Sequence, residues 1–248
     1  MSKILTSRFY KRSLSAIILA PVCLWVLISG GIAFYILIGV ILGLSLSEWV
    51  GLTRLLSGKQ RYIYGLAGFI YLLGCIYSFL LLPLYFNIML LVGVWFSDIG
   101  AYLIGKKFGR WKVVPTISPN KTLAGFIGAC LSPALVLAGT AVIYTELTSL
   151  PTGSVCDFRL YQIGGDESWK LDPFIVLSWI EVFWIFIFVG IAGQAGDLLI
   201  SAMKRKVEVK DTGKLIPGHG GILDRIDAIL LASPAFLGLL ILIKEISC

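Results

Sequence analysis

The chain has 248 residues, of which 58% are hydrophobic and only 14% are charged, and its mean hydropathy is +0.91. Soluble domains contain about 25% charged residues, so this composition excludes an ordinary soluble protein and predicts a membrane protein. The formal net charge of +7 is spread over loops without interleaved aromatic motifs, which argues against a nucleic-acid-binding protein.

Seven apolar segments are candidate membrane helices, since a helix needs about 20 mainly apolar residues to cross a bilayer. They cover residues 13–28, 31–47, 62–82, 86–104, 122–147, 173–195 and 228–244. Pro133 in the fifth segment is compatible with an additional re-entrant element. We therefore predict an all-α polytopic fold with seven to nine transmembrane helices in a single membrane domain, residues 1–248. Within it, residues 1–85 are generic spans and residues 86–248 carry the chemistry.

The basic residues predict the orientation in the membrane. If the N-terminus is cytoplasmic, eighteen of the 21 Lys and Arg residues fall in the cytoplasmic segments 1–12, 48–61, 105–121 and 196–227. Cytoplasmic loops of membrane proteins are enriched in Lys and Arg. The 148–172 loop then lies outside and reads as a solvated loop without a motif.

One cytoplasmic segment, residues 193–227, reads GQAGDLLISAMKRKVEVKDTGKLIPGHGGILDRID and holds the chain's only histidine, His219. Its aspartates are Asp197, Asp211, Asp224 and Asp227. Charge is costly at the edge of a membrane domain, so the cluster is by default a functional-site hypothesis. Carboxylates beside cations and a glycine-rich turn suggest metal-assisted chemistry on phosphates.

If the sixth span stays helical beyond Gly196, then Asp197, Ser201, Lys204 and Arg205 share one helical face, at i, i+4, i+7 and i+8. Such a face can hold a metal ion and anchor an anion. The alternative is a basic cap that only binds lipid headgroups.

The glycine turn follows, with Pro217, Gly218, Gly220 and Gly221 around His219. Glycines let the backbone approach a ligand closely, and a helix that begins near Ile222 would add a positive dipole end suited to phosphate. His219 would donate to a phosphate or shuttle a proton, with a structural turn contact as the alternative.

Asp224 and Asp227 lie one turn apart on that helix, beside Arg225. They are either complements of the helix dipole or ligands of Mg²⁺, which takes one or two carboxylates and keeps other positions for water and phosphate. Together with Asp197, Asp224 would permit a two-metal clamp on a transferring phosphorus.

Further polar residues are predicted on the same membrane face. Asp98 lies inside the fourth span, where Lys106 could be its structural partner or both could line a polar cavity. Ser118 and Lys121 precede the fifth span and suggest another anion contact.

The fourteen residues from Ser201 to Asp227 that fit S-x-x-K-R-x4-K-D-x-G-x3-P-G-H-G-G-x2-D-R-x-D resemble the signature of phosphatidate cytidylyltransferases. Residues 193–197 resemble that family's GQ-x-GD segment, and Asp98–Gly109 its D-x-G-A-Y segment with the glycine and basic residues that follow. Residues 118–125 depart from it, because Ala124 stands where the family usually has glutamate.

The resemblance implies transfer of a cytidylyl group from CTP to phosphatidate, with Mg²⁺ as cofactor. It implies Asp197 and Asp224 as metal ligands. The residues expected to be catalytic are Asp197, Lys204, Arg205, Lys210, Asp211, His219, Asp224, Arg225 and Asp227. Those expected to bind substrate are Asp98, Ser118, Lys121, Ser201, Gly218, Gly220 and Gly221.

The expected partners are CTP, phosphatidate and the lipid bilayer, with a homodimer as a candidate assembly and no nucleic acid. The expected location is the plasma membrane of a bacterium, with the site facing the cytoplasm. Two alternatives stay open: a CTP-dependent polyprenol kinase, which would pass on the γ-phosphoryl group, and an anion transporter, whose intramembrane acids would line a pathway.

Overall fold

The protein, described by a computed structural model over residues 21–148, 160–162, 169–171, 177–215 and 220–247, is built mainly of helices. They are α1 (residues 21–29), α2 (Gly31–Thr53), α3 (Gly58–Leu81), α4 (Leu84–Phe108), α5 (Leu123–Thr148), α6 (Trp179–Lys206) and α7 (Leu223–Ser247). In the described ranges, six helices, α2 to α7, are long and apolar enough to cross a membrane. The predicted all-α polytopic fold is confirmed. The count of seven to nine is not, and the first predicted span lies partly outside the described residues.

Two helices extend beyond the predicted spans in a way that matters for the site. Helix α6 continues to Lys206, which confirms the helical spacing used for Asp197 to Arg205. Helix α2 continues to Thr53, so Glu48 lies within a membrane helix and not in a cytoplasmic loop. Hydropathy ends the predicted span at residue 47 because the charge of Glu48 lowers the average, although the backbone stays helical.

The 148–172 segment contains an element that the sequence did not predict. Strands β1 (Leu160–Gln162) and β2 (Trp169–Leu171) pair antiparallel, with Leu160 opposite Leu171. Strands of three residues are too short to show the alternation of apolar and polar residues by which strands are recognised. The rest of this predicted solvated loop lies largely outside the described residues.

The chain divides into two compact units, and three helices contribute residues to both. The first unit comprises Met1–Ile76 and Leu199–Asp227, and the second comprises Tyr77–Leu198 and Ala228–Cys248. In the first unit, Trp49 Nε1 donates a hydrogen bond to the Tyr64 carbonyl at 2.9 Å. A side chain on Gly68 would overlap the Trp49 indole, so glycine at this position lets α3 pack closely on α2.

The second unit has an apolar core in which Phe86, Phe186 and Phe236 are fully buried. The Phe236 ring centroid lies 5.8 Å from that of Phe86 and 5.6 Å from that of Phe186. Helices α4 and α5 approach closely at small residues: a Cβ on Gly128 would lie 2.6 Å from the Gly100 carbonyl oxygen. Small residues at such contacts are typical of membrane helices, whose association depends on close packing.

Candidate active site

In the first unit, the charged residues of α6 and α7 meet in a buried ion pair. Lys204 Nζ lies 2.7 Å from Asp224 Oδ1, and the two side chains are only 10% and 4% exposed. Lys204 is in the last turns of α6, and Asp224 is in the first turn of α7. The structure thus brings together two of the residues that the sequence predicted for the site.

The second oxygen of Asp224 organises the loop that precedes α7. Asp224 Oδ2 accepts hydrogen bonds from the backbone N–H of Thr212 at 2.8 Å and that of Gly221 at 3.0 Å, and the Thr212 hydroxyl oxygen lies 3.1 Å away. Gly220 adopts φ 82°, and a Cβ there would lie 2.8 Å from Asp224 Oδ2. Glycine at 220 therefore serves both the backbone conformation and the close approach of this carboxylate.

A second carboxylate, that of Glu48 in α2, binds the same loop. Glu48 Oε1 accepts from the Ile222 N–H at 2.9 Å, and Oε2 accepts from the Leu223 N–H at 3.0 Å and the Thr212 hydroxyl at 2.8 Å. Glu48 is not among the residues predicted from the sequence for the site, because it belongs to no recognised motif. The available signal was an acidic residue at the end of an otherwise apolar run, which marks a functional position in membrane helices.

These contacts change the interpretation of the α7 N-terminus. The free N–H groups at the start of a helix attract anions, and the sequence suggested a phosphate there. In the structure, the N–H groups of Gly221, Ile222 and Leu223 donate to the carboxylates of Asp224 and Glu48. The chain's own carboxylates satisfy the donors that a phosphate would use.

In the second unit, Lys121 and Asp197 form another ion pair. Lys121 Nζ lies 2.9 Å from Asp197 Oδ2 and donates to the Gln194 carbonyl at 3.1 Å. The side chains of Lys121 and Asp197 are 19% and 34% exposed, so this pair is more accessible than the one at Asp224.

Hydrogen bonds fix the backbone of the loop that carries Lys121, just before α5. The Val113 N–H donates to the Lys121 carbonyl at 3.1 Å, and the Thr122 hydroxyl caps α5 by accepting from the Gly125 N–H at 3.1 Å. Ala124, where the family usually has glutamate, is half-buried in the first turn of α5.

The remaining predicted residues are placed as follows. In α4, Lys106 Nζ lies 3.4 Å from the Tyr102 hydroxyl, and Asp98 is exposed. Ser118 donates its N–H to the Val114 carbonyl at 2.9 Å, and Ser201 is buried in α6. Four further residues are exposed: Arg205, Lys210, Asp211 and Arg225. Asp227 is half-buried, while Gly218 and His219 lie outside the described residues.

These helices and ion pairs define a polytopic membrane protein in which each of the two units holds a carboxylate paired with a lysine. Residues 83–243 match the model of the cytidylyltransferase family, and the chain belongs to that family, as its signature predicted.

Three curated proteins illustrate the similarity. The chain is 33% identical over 233 residues to the phosphatidate cytidylyltransferase of Rickettsia bellii (strain RML369-C), covering 92% of this chain and 89% of that protein. It is 41% identical over 143 residues to the phosphatidate cytidylyltransferase of Bacillus subtilis (strain 168), covering 58% and 42%. It is 36% identical over 140 residues to the uncharacterized protein YnbB of Escherichia coli (strain K12), covering 56% and 37%. The matched region therefore spans less than half the length of the last two relatives.

Proposed function

We propose that this chain is a phosphatidate cytidylyltransferase, which transfers a cytidylyl group from CTP to phosphatidate and forms CDP-diacylglycerol and pyrophosphate. The observation that carries this proposal is the similarity to the Rickettsia bellii phosphatidate cytidylyltransferase over 92% of this chain and 89% of that relative.

The chemistry of this transfer suits a site rich in cations. An oxygen of the lipid phosphate attacks the α-phosphorus of CTP, the bond from that phosphorus to the bridging oxygen breaks, and pyrophosphate leaves. The attacking oxygen is already an anion at neutral pH, so the reaction needs charge neutralisation and in-line alignment more than a strong base. Cations and hydrogen-bond donors aimed at the phosphates supply both.

Each of the two units has cations that could neutralise phosphate charge. In the first unit, the exposed cations Arg205, Lys210 and Arg225 are candidates for the CTP phosphates, and Lys204 would act from its place beside Asp224. In the second unit, Lys121 is the candidate for the phosphate of the lipid. The substrate-binding or catalytic roles expected from the resemblance are kept for Asp98, Ser118, Ser201, Asp211, Asp227, Gly218, Gly220 and His219. Gly221 is the exception, because its N–H donates to Asp224.

The resemblance implies magnesium, and the two predicted ligands differ in how well they fit it. Magnesium takes few carboxylates and keeps several water or phosphate ligands, so it suits an accessible carboxylate. Asp197 fits, because its side chain is 34% exposed. Asp224 as arranged does not, because its side chain is 4% exposed and both oxygens accept hydrogen bonds from the chain. When bound at Asp197, magnesium would neutralise triphosphate charge.

A lipid substrate also needs an apolar surface for its acyl chains. The first unit contains an apolar cavity of about 350 Å³, whose walls include Trp49, Tyr71, Ala202 and Met203. Lys206 lies at the edge of this cavity, and its Nζ is 2.7 Å from the Tyr64 hydroxyl. We assign the cavity to an acyl chain of phosphatidate.

The location follows the same reasoning. The chain is a membrane protein with bacterial relatives, and we propose a plasma-membrane location with the site facing the cytoplasm, where CTP is available. The excess of Lys and Arg in the predicted cytoplasmic segments supports this orientation. A homodimer remains the candidate assembly.

The decisive experiment uses the purified full chain with magnesium, CTP labelled at either the α- or the γ-phosphate, and either phosphatidate or a polyprenol as the acceptor. A cytidylyltransferase transfers the α-label to lipid and releases the γ-label as pyrophosphate. Transfer of the γ-label to a polyprenol would instead identify a kinase. Anion flux in proteoliposomes without CTP turnover would identify a transporter, and either result would overturn the proposal.

A further inference from the structure

Glu48 differs from the other site residues in its position along the chain. It is the single acidic residue of α2, Gly31–Thr53, and lies outside residues 83–243, the part that matches the family model. From the sequence, residues 1–85 were expected to be generic membrane spans. Yet Glu48 makes three hydrogen bonds to residues between 212 and 223, all within the first unit.

The Glu48 carboxylate caps the N-terminus of α7. The first N–H groups of a helix have no partner within the helix, and a carboxylate placed there both accepts their hydrogen bonds and complements the helix dipole. Glu48 supplies this cap from a different helix, at Ile222 and Leu223. Thr212 donates its hydroxyl to Glu48 and its N–H to Asp224, so the two carboxylates together hold Thr212 next to the first turn of α7.

The same carboxylate explains two glycines of the signature. A Cβ on Gly213 would lie 2.7 Å from Glu48 Oε1 and 3.0 Å from its Cδ, and a Cβ on Gly221 would meet Glu48 Oε2 and the Thr212 hydroxyl. A glutamate side chain can usually swing away from an added methyl group. Here the Glu48 side chain would lose the hydrogen bonds that cap α7 if it moved. The positions of Gly213 and Gly221 therefore have no room for a Cβ atom.

We propose that Glu48 is a positioning residue of the active site: it holds the loop of Thr212 and Gly213 against the first turn of α7 and so keeps Asp224 and Lys204 in register for the reaction. This inference rests on the proposed function for its effect on catalysis. The anchoring of the loop by Glu48 can be measured without any turnover. On this view the N-terminal helices belong to the catalytic machinery and are not only a membrane anchor.

The first test compares Glu48→Gln and Glu48→Asp with the parent chain in detergent. Glutamine keeps one acceptor oxygen but turns an N–H donor towards the α7 amides, and aspartate is too short to reach them. We expect kcat per folded protein to fall about 100-fold, the usual effect of misplacing a catalytic group by about 1 Å, while KM for CTP changes less than about twofold. An unchanged kcat with only a lower melting temperature would show that Glu48 is merely structural and overturn the proposal.

Glu181→Gln is the matched control. The Glu181 carboxylate caps α6 by accepting from the Ser178 N–H at 2.7 Å and the Ser178 hydroxyl at 2.8 Å. Glu181 is therefore also a helix-capping glutamate, but at a different helix. It lies sixteen residues before Asp197 on the same helix, about 24 Å along the axis. We expect lower stability with an unchanged kcat. A matching loss of kcat in this control would mean that any lost helix cap disturbs the enzyme, which would also overturn a specific role for Glu48.

A double-mutant cycle tests the contact itself. Gly213→Ala should lower kcat about tenfold in the parent chain, because its methyl group displaces Glu48. It should have almost no further effect in a Glu48→Ala background, where the three nearest atoms have been removed. Additive effects would show that Gly213 and Glu48 act independently. The close approach of Gly213 to Glu48 would then no longer support the proposal.

Hydrogen exchange separates failure of this inference from failure of the proposed function. The amides of Ile222 and Leu223 should exchange at least tenfold faster in Glu48→Ala than in the parent chain, whether or not the protein uses CTP. Unchanged exchange would overturn the inference even in an active enzyme. Faster exchange in a chain that lacks cytidylyltransferase activity would uphold the anchoring by Glu48 and reject only the proposed reaction.

Discussion

Lys204 Nζ lies 2.7 Å from Asp224 Oδ1, and this ion pair joins the last turns of α6 to the first turn of α7. The two side chains are 10% and 4% exposed, so neither charge has much access to water. Breaking a buried pair by removing one partner is strongly destabilising, because the other charge is left uncompensated. We therefore expect substitutions at these two positions to lower the stability of the protein as well as its activity.

Replacing Asp224 with Asn should abolish CDP-lipid formation and lower the free energy of unfolding by about 3 kcal/mol. The substitution leaves the Lys204 charge unpaired and turns an amide donor towards the groups that now donate to the carboxylate. Thermal unfolding in detergent and the initial rate per folded protein measure the two effects. The double variant Lys204→Gln with Asp224→Asn should recover much of the stability, since a neutral hydrogen-bonded pair replaces the lone charge, but no activity. Near-normal activity in Asp224→Asn would remove Asp224 from the reaction.

Asp197→Asn should behave differently, because the pair of Lys121 and Asp197 is more accessible. With Asp197 34% exposed, we expect its loss to change stability by no more than about 1 kcal/mol. Activity should fall about 100-fold, as when one charge-stabilising group is lost from a transition state, and the magnesium concentration that gives half-maximal rate should rise. Lys112→Gln, an exposed lysine of the same loop, serves as the control with unchanged kinetics. An unaltered magnesium dependence in Asp197→Asn would contradict the role of Asp197 as metal ligand.

Filling the apolar cavity should change the choice of lipid. Ala202→Phe places a ring in the cavity of about 350 Å³ and should raise KM for long-chain phosphatidate several-fold. The KM for dihexanoyl phosphatidate, whose chains are too short to fill the cavity, should not change. Ala33→Phe adds the same ring at an exposed position of α2 and should change neither substrate. Equal loss with both lipids in Ala202→Phe would show that the cavity does not hold an acyl chain.

Gly128→Ala should destabilise the second unit without a direct effect on the site. Its methyl group would lie 2.6 Å from the Gly100 carbonyl oxygen and 2.9 Å from Ile104, and such overpacking typically costs about 1–3 kcal/mol. Gly139→Ala is the matched control in the same helix, since nothing lies within 4 Å of its Cβ, and should be neutral or stabilising by about 0.5–1 kcal/mol. Melting temperatures of the two variants in one detergent decide the comparison. An unchanged melting temperature for Gly128→Ala would show that α4 and α5 can separate at little cost.

Much of the fold could be predicted from hydropathy, because a backbone in lipid must satisfy its hydrogen bonds internally and so forms helices. The shared face of Asp197, Ser201, Lys204 and Arg205 depended on the sixth span staying helical beyond Gly196, and α6 does continue to Lys206. The end of α2 did not, because Glu48 lowers local hydropathy although its carboxylate is hydrogen-bonded. Strands β1 and β2 are too short to leave a pattern.

By itself, the sequence determined the membrane character of the protein and the signature that identifies the cytidylyltransferase family, since both are written in residue types and local spacing. Only the tertiary structure decided which charges meet. It pairs Lys204 with Asp224 and Lys121 with Asp197, residues 20 and 76 positions apart. It also places carboxylates, among them that of Glu48, on the helix terminus where local pattern predicted a phosphate. The physical reason is that N–H donors and cations accept any nearby anion, and only the packing of distant helices determines which one is near.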